Sequence, residues 1–282
     1  MPRIAAALVA LAVACTWLPA PAIAASYART TSIEVAGATM ALDVYEPDAR
    51  PPRGVAILAH GWTRTRVRHR DVGRALAEAG IVAIVPDLPN VLDLWGNGSV
   101  IVALARALEA GALDLAPVER SSLLLIGTSA GGLATVYAAS KLPGLAGWVG
   151  LDPVDRTGTG MLAAAKLDSP AIVLLGDASA CNLFSSGRTL ARSVPHLVRS
   201  VKIDGASHCD FESPTNTFCT AWCGSSTRAK QLEAQHETVL AALELLAIAR
   251  AAQAGKSTAG GGGAKAADPA IAAPLRFDNE ER

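Results

Sequence analysis

Apolar residues along this chain fall into short unbroken runs separated by stretches of helical spacing. Val55–Ala59, Ile81–Val85, Ser122–Ile126, Trp148–Leu151, Ala171–Leu175 and Val198–Ile203 read as strands. Between them, Asp71–Ala79 has helical spacing and stops at Gly80, and Val100–Ala110 stops at Gly111. Gly131–Ser140 and the long Arg228–Ala252 complete the predicted helices. Alternation in Ser32–Val35 and Met40–Tyr45 predicts an opening hairpin around Gly37. Strands apolar at every position are covered on both faces, so the pattern predicts an α/β protein: a mostly parallel central sheet with helices on both sides. With 282 residues, 51% of them hydrophobic, the chain can form one such domain and its tails.

The ends depart from this pattern. Arg3, the apolar stretch Ile4–Leu18 and the small-x-small triplet Ala22-Ile23-Ala24 read as a signal peptide over 1–24, with cleavage before Ala25. The stretch is too short for a stable membrane span. Ala12-Val13-Ala14-Cys15 is a loose lipoprotein-type pattern, so a lipid anchor at Cys15 is the alternative to a secreted or periplasmic protein. The domain is expected over 25–254, and the Gly- and Ala-rich segment 255–282 as a disordered tail.

Charge narrows the partners. Lys plus Arg and Asp plus Glu each number 25, which gives no electrostatic case for nucleic acid. The local cluster Arg64, Arg66, Arg68, His69 and Arg70 reads as a solvated face, or else as a contact for an acidic substrate group. We read the chain as a monomer. Apart from Cys15, the cysteines are Cys181, Cys209, Cys219 and Cys223, an even set that suggests disulfides in an exported chain. Three connectivities are open. The short spacing makes a Cys219–Cys223 loop plausible, which leaves Cys181 with Cys209. Zinc-type spacing is lacking, so no metal is expected.

Chemistry concentrates at Gly127-Thr128-Ser129-Ala130-Gly131, a G-x-S-x-G pattern directly after a predicted strand and before a predicted helix. A nucleophilic serine there sits on a tight turn, its hydroxyl above the sheet and the helix N-terminus beside it. Among the five histidines, His208 in Gly205-Ala206-Ser207-His208-Cys209 follows the last strand, where the base belongs in the chain order of such hydrolases. His196 and His236 read as surface residues, and His69 lies too early and among arginines. Asp152 and Asp177 both end strands, and either suits the acid that orients the histidine. The oxyanion hole is expected from the Ala130 N–H and from Trp62 N–H in His60-Gly61-Trp62-Thr63, with Gly61 permitting the loop geometry. His60 reads as support for that loop. Gly61 and Trp62 also border the substrate, and Trp95 and Trp148 are further candidates to line a cleft. The segments Leu88–Gly98 and Thr157–Ala164 are expected to shape it.

These motifs resemble the chlorophyllase, platelet-activating-factor acetylhydrolase and dienelactone-hydrolase-like branch of the α/β-hydrolase fold, related to the bacterial cutinase-like polyester hydrolases. The resemblance spans roughly Ile33–Arg250 and rests on Val55–Thr63, the Gly127–Gly131 elbow and Leu151-Asp152-Pro153-Val154-Asp155. In chlorophyllases and the acetylhydrolases the acid follows the strand after the nucleophile helix. The resemblance therefore implies Asp152, with Asp177 in reserve. Thr128 and Ala130 stand where chlorophyllases have His and Arg, which weakens the chlorophyll substrate, and Ser129 replaces the cysteine of dienelactone hydrolases proper.

The expectation is an exported serine hydrolase that cleaves a small or lipid-like carboxylic ester through Ser129, His208 and Asp152, without cofactor. A thioesterase or other acyl hydrolase is the alternative, as is a catalytically silent scaffold that binds a ligand.

Overall fold

The computed structural model describes residues 26–48 and 50–260. The expected signal segment 1–24, Cys15 and the tail from 261 onward lie outside the described residues. Strands β1 (Ser26–Val35) and β2 (Ala38–Pro47) form the opening hairpin. Its turn residues Ala36 and Gly37 have φ of 52° and 77°, the mirror-image turn whose twist matches the flanking strands. The other strands are β3 (Gly54–Ala59), β4 (Ile81–Pro86), β5 (Leu123–Thr128), β6 (Gly147–Leu151), β7 (Ala171–Leu175) and β8 (Leu197–Lys202). They join one eight-stranded sheet in the order β1-β2-β4-β3-β5-β6-β7-β8. Only the β1–β2 and β2–β4 pairs are antiparallel; β4 to β8 run parallel.

The helices are α1 (Arg70–Glu78), α2 (Leu94–Glu109), α3 (Ala130–Ala139), α4 (Thr159–Ala164), α5 (Ser186–Arg192), α6 (Thr217–Cys223) and α7 (Arg228–Gly260). Successive strand residues point to opposite faces, which divides the apolar core in two. Val55, Ile57, Leu123 and Leu125 pack under Leu104 and Leu108 of α2 and Val136 of α3. Ala56, Leu58, Leu124 and Ile126 pack under Leu76 of α1 and Ala242 and Leu245 of α7. Full burial of each Leu or Ile contributes roughly 1.5–3 kcal/mol, so both faces hold the sheet in register. Helix α7 is long and apolar enough to cross a membrane by length and composition. Here it presents Ala234, Ala241, Ala242, Leu245 and Leu246 to the sheet. The edge strand β8 carries Arg199 on its half-buried face and Lys202 on its exposed face, charges that discourage pairing at an edge.

Three departures from the sequence reading have local causes. Helix α2 starts at Leu94, before the expected Val100, because Asp93 Oδ1 caps it through Gly96 N–H at 2.7 Å. Gly96 and Gly98 hide that start in the sequence; a Cβ on Gly98 would lie 2.4 Å from the Tyr137 ring. Helix α7 continues past Ala252 to Gly260, so part of the expected tail is helical. Trp148 lines no cleft: it is fully buried, its indole N–H donating to Thr135 Oγ1 at 3.0 Å.

Strand order reverses at β3, with β4 on one side and β5 on the other. The loops after β3 and β5 therefore diverge and open a crevice at the carboxyl end of the sheet. The loops after β6, β7 and β8 reach the same edge.

Candidate active site

Ser129 joins β5 to α3 with φ 56° and ψ −121°, a left-handed conformation that favours glycine and is strained for serine. Its backbone is held from several sides. Ser129 N–H donates to Leu151 O at 3.0 Å, and Gly132 and Val154 N–H groups donate to Ser129 O at 3.0 and 3.2 Å. The flanking glycines are required by contact. A Cβ on Gly127 would lie 2.3 Å from Gly131 O, and one on Gly131 would lie 2.4 Å from both Ala59 O and His60 O. The helix thus sits close against its own strand and against the end of β3, which places Gly61 beside the serine. A Cβ on Gly61 would come within 3.2 Å of Ser129 Cβ.

His208 opens a single 3-10 turn, His208–Phe211, after β8. Asp210 Oδ2 accepts from Ser207 N–H at 2.7 Å while Ser207 Oγ accepts from Asp210 N–H, a capping box that fixes the turn, and Oδ2 also receives the Ser207 hydroxyl at 3.0 Å. Asp210 Oδ1 also accepts from Ser226 Oγ at 2.5 Å and Thr227 N–H at 3.1 Å, tying the turn to the start of α7.

His208 Nδ1 lies 2.6 Å from Asp152 Oδ2. Asp152 ends β6 with φ 43° and is fully buried. Its carboxylate also accepts from Gly176 N–H at 3.1 Å and from Asn182 Nδ2 at 3.1 Å. A buried carboxylate without such donors would be strongly disfavoured. Asp177 is placed differently: about half exposed, it pairs with Lys202 Nζ at 2.8 Å on the surface.

Asn182 has no counterpart in the sequence reading. It is fully buried, donates to Asp177 O at 2.8 Å as well as to Asp152, and accepts from Ser179 and Ser185 N–H at 2.9 and 3.0 Å. One side chain thereby organises the β7–α5 loop around the carboxylate. No sequence signal marks it, since an Asn in a Ser-rich loop is ordinary.

The loop after β3 turns through an Arg64 N–H to Gly61 O bond of 3.2 Å, with Thr63 at φ 56°. Among the described residues, the N–H groups of Trp62 and Ala130 have no protein acceptor. His60 is buried, donating from Nδ1 to Gly61 O at 2.9 Å and accepting Leu88 N–H at Nε2 at 2.9 Å. Burial lowers its pKa and keeps it neutral, as those bonds require. His196 and His236 are exposed, away from these groups.

Only Arg70 of the arginine cluster stands on a solvated face; the other members turn toward the protein. Arg64 donates Nε–H to Glu212 Oε1 at 2.7 Å, and Nη2 to Glu212 Oε2 and, at 2.9 Å, to Asn216 Oδ1. Arg66 pairs with Asp43 at 3.0 Å and with Asp87, and Arg68 donates to Pro214 and Thr215 carbonyls at 3.3 Å. His69 is fully buried. Arg64 and Arg68 join the Gly61 loop to the His208 loop, Arg66 ties the same loop to Asp43 and Asp87, and Arg70 stays exposed beside Asp71 at 3.3 Å.

The cysteines form Cys181–Cys223 and Cys209–Cys219, so the Cys219–Cys223 and Cys181–Cys209 pairing is corrected. Cys219 and Cys223 sit on the short helix α6, and each reaches a different loop. The sulfurs of Cys209, Cys219 and Cys223 lie within 4.8 Å of one another, too crowded for spacing alone to select the pairs. Disulfides agree with an oxidising, extracytoplasmic location.

Next to Ala130, a narrow cleft of about 30 Å³, partly open to solvent, is lined by Gly61, Trp62, Leu88, Val91, Leu94 and Asn97. The Leu88–Gly98 segment thus borders the site, while Thr159 and Leu162 line a separate hollow with Trp95 and Tyr137.

No protein-family model matches the chain, and a comparison with curated proteins finds no match. A crystal structure of a dienelactone hydrolase from Anabaena variabilis is similar, with a TM-score of 0.57 over 65% of this chain and 88% of that one, at 20% identity. The fold is α/β-hydrolase-like. At that identity the likeness bears on the fold alone, and Ser129 stands on the elbow between β5 and α3 of that fold.

Proposed function

We propose that this chain is a serine hydrolase of carboxylic esters, with Ser129 as nucleophile, His208 as general base and Asp152 as the acid that orients it. The observation that carries the reading is the buried Asp152–His208 contact of 2.6 Å at the same sheet edge as the strained Ser129. With its Nδ1–H given to Asp152, His208 presents the Nε2 lone pair to a serine hydroxyl.

In the proposed reaction Ser129 Oγ attacks the ester carbonyl carbon as His208 Nε2 takes the hydroxyl proton. The carbonyl oxygen becomes an oxyanion held by the N–H groups of Trp62 and Ala130, which have no protein acceptor to give up. The tetrahedral species collapses by breaking the bond to the leaving alcohol, which receives the proton from His208. Water, deprotonated by the same histidine, then attacks the acyl-enzyme, and its collapse returns Ser129 and the carboxylic acid. Asp152 holds the histidine in place, and Gly176 N–H and Asn182 donate to its carboxylate. The apolar wall of Leu88, Val91 and Leu94 suits an acyl or alkyl group. We further propose that the chain acts outside the cytoplasm as a monomer.

The test is hydrolysis of p-nitrophenyl esters of increasing chain length, beside Ser129→Ala and His208→Ala. Activity lost in both variants supports the reading, and the optimum chain length sizes the cleft. A folded wild type that is inert on the whole series, or a fully active Ser129→Ala, overturns it. Parallel assay on acyl thioesters separates the thioesterase alternative.

A further inference from the structure

Besides Trp62, three large aromatic side chains stand in solvent on the loops and helix tied to this site, in a chain only 4% aromatic. Phe184 is 76% exposed, Phe218 55% and Trp222 75%. Clustered exposed apolar groups of this size mark a contact surface more often than chance decoration.

Each is tied, directly or through a disulfide, to a segment that carries a residue of the proposed site. Phe184 lies two positions after Asn182, which bonds Asp152. Leu183, Phe184 and Ser185 have φ of 50°, 54° and 66°, three consecutive non-glycine residues in the left-handed region. That strain persists only because Asn182 and Ser179 hold the loop, and it keeps the Phe184 ring out of the core. Phe218 precedes Cys219, bonded to Cys209, the neighbour of His208. Trp222 precedes Cys223, bonded to Cys181, and its carbonyl lies 3.4 Å from Cys181 Sγ. The two disulfides therefore hold the Phe184 loop, helix α6 and the His208 turn together.

The two segments that carry these rings are uncharged. Neither 178–187 nor 213–227 contains Asp, Glu, Lys, Arg or His. These segments supply no cation to anionic headgroups and no charge that an uncharged apolar surface would have to desolvate. Rings on a preorganised backbone lose little conformational freedom when they insert. Arg250 of α7 bonds Arg53 O at the amino end of β3, so α7 leads away from the site.

We propose that Phe184, Phe218 and Trp222 form a rim that docks this protein onto the surface of an aggregated, uncharged lipid ester, presenting ester groups to Ser129. The proposal deepens the esterase reading and rests on it for the chemistry, but docking itself can be measured without turnover.

The experiment uses the mature, oxidised chain with Ser129→Ala and neutral triacylglycerol droplets stabilised by phosphatidylcholine. Flotation is expected to carry Ser129→Ala with the droplets, equally at low and high salt. The variants Phe184→Ser and Trp222→Ser, singly and together in that background, are expected to weaken recovery about tenfold or more. In the active chain, the same two substitutions should lower turnover of emulsified tributyrin by a similar factor while hydrolysis of soluble p-nitrophenyl butyrate stays within about threefold. Failure of Ser129→Ala to float overturns the docking proposal, whatever the esterase result. Adsorption to a polyester film without flotation, or recovery only on anionic vesicles with loss at high salt, overturns the lipid occupant. Equal loss of soluble and emulsified turnover makes the rim structural and also overturns it. A wild type that floats but hydrolyses no ester leaves docking standing and removes the esterase reading.

Discussion

The Arg64 guanidinium and the Glu212 carboxylate meet through two hydrogen bonds in the interior, their side chains only 8% and 6% exposed. The pair joins the loop that carries Gly61 and Trp62 to the turn that carries His208, 148 residues apart in sequence. Backbone bonds from Ser213 N–H to Arg68 O at 2.8 Å and from Asp71 N–H to Ser213 O at 2.9 Å continue the seam. The proposed oxyanion hole and general base thus belong to one rigid unit.

Replacing Glu212 with Leu leaves Arg64 buried without its counter-ion. The expected cost is about 3–5 kcal/mol of folding free energy, read from urea denaturation. Adding Arg64→Met should recover most of it. A single-variant loss below about 1 kcal/mol would place the pair with weak surface bridges.

Asp152→Asn is expected to lower kcat by about 10⁴-fold, because an amide in that place favours the wrong histidine tautomer. Asp177→Asn should leave kcat within about twofold, since it removes only an exposed ion pair with Lys202. Steady-state kinetics on a soluble ester decides between them, and the reverse ranking would reassign the acid.

Asn182→Ala should lower kcat by about 10- to 100-fold with KM little changed, because the residue positions Asp152 and touches no substrate. Were KM to rise while kcat held, Asn182 would belong to the binding surface instead.

Gly131→Ala is expected to be poorly tolerated. The new methyl would lie 2.4 Å from two backbone carbonyls, Ala59 O and His60 O, neither of which can swing aside. Overpacking of this kind costs about 1–3 kcal/mol, and any relief moves the Gly61 loop off Ser129. Both the denaturation midpoint and kcat should fall.

His69 sets a pH dependence of stability. Burial, chiefly, drives its pKa from 6.5 down to about 3, with the neighbouring His60 adding to the fall. Although the Ala59 carbonyl faces the ring, neither nitrogen has a hydrogen-bond partner of good geometry among the described residues. Neutral in the fold and protonated when unfolded, it supports stability fully above pH 6.5, and that support is lost as pH falls toward 3. The slope approaches about 1.4 kcal/mol per pH unit within that window. Denaturation of His69→Phe should show a shallower fall over the same range. An unchanged slope would assign the acid sensitivity elsewhere.

Much of this was legible along the chain. Strands such as Ala171–Leu175 are apolar at every position because both faces are covered, and that pattern needs no tertiary information. The serine was legible because its elbow demands small residues at fixed spacing: Gly127 and Gly131 answer contacts made within a few residues. The site's supports were not. Asn182, Glu212 and the arginine cluster look like ordinary polar loop residues until the fold brings distant partners to them.

The sequence by itself determined the layered α/β class, the strand–elbow–helix around Ser129 and the position of His208 after the last strand, because these follow from local periodicity and close backbone contacts. Tertiary structure alone decided that Cys181 pairs with Cys223 and that Arg64 turns inward to Glu212, and it brought Asp152, which only the family resemblance and not the residue pattern had favoured over Asp177, to His208. Each of those depends on which loop ends converge at the edge of the sheet. Residues 56, 42 and 148 positions apart carry no mutual signature in a single chain until strand order and crossover direction bring them together.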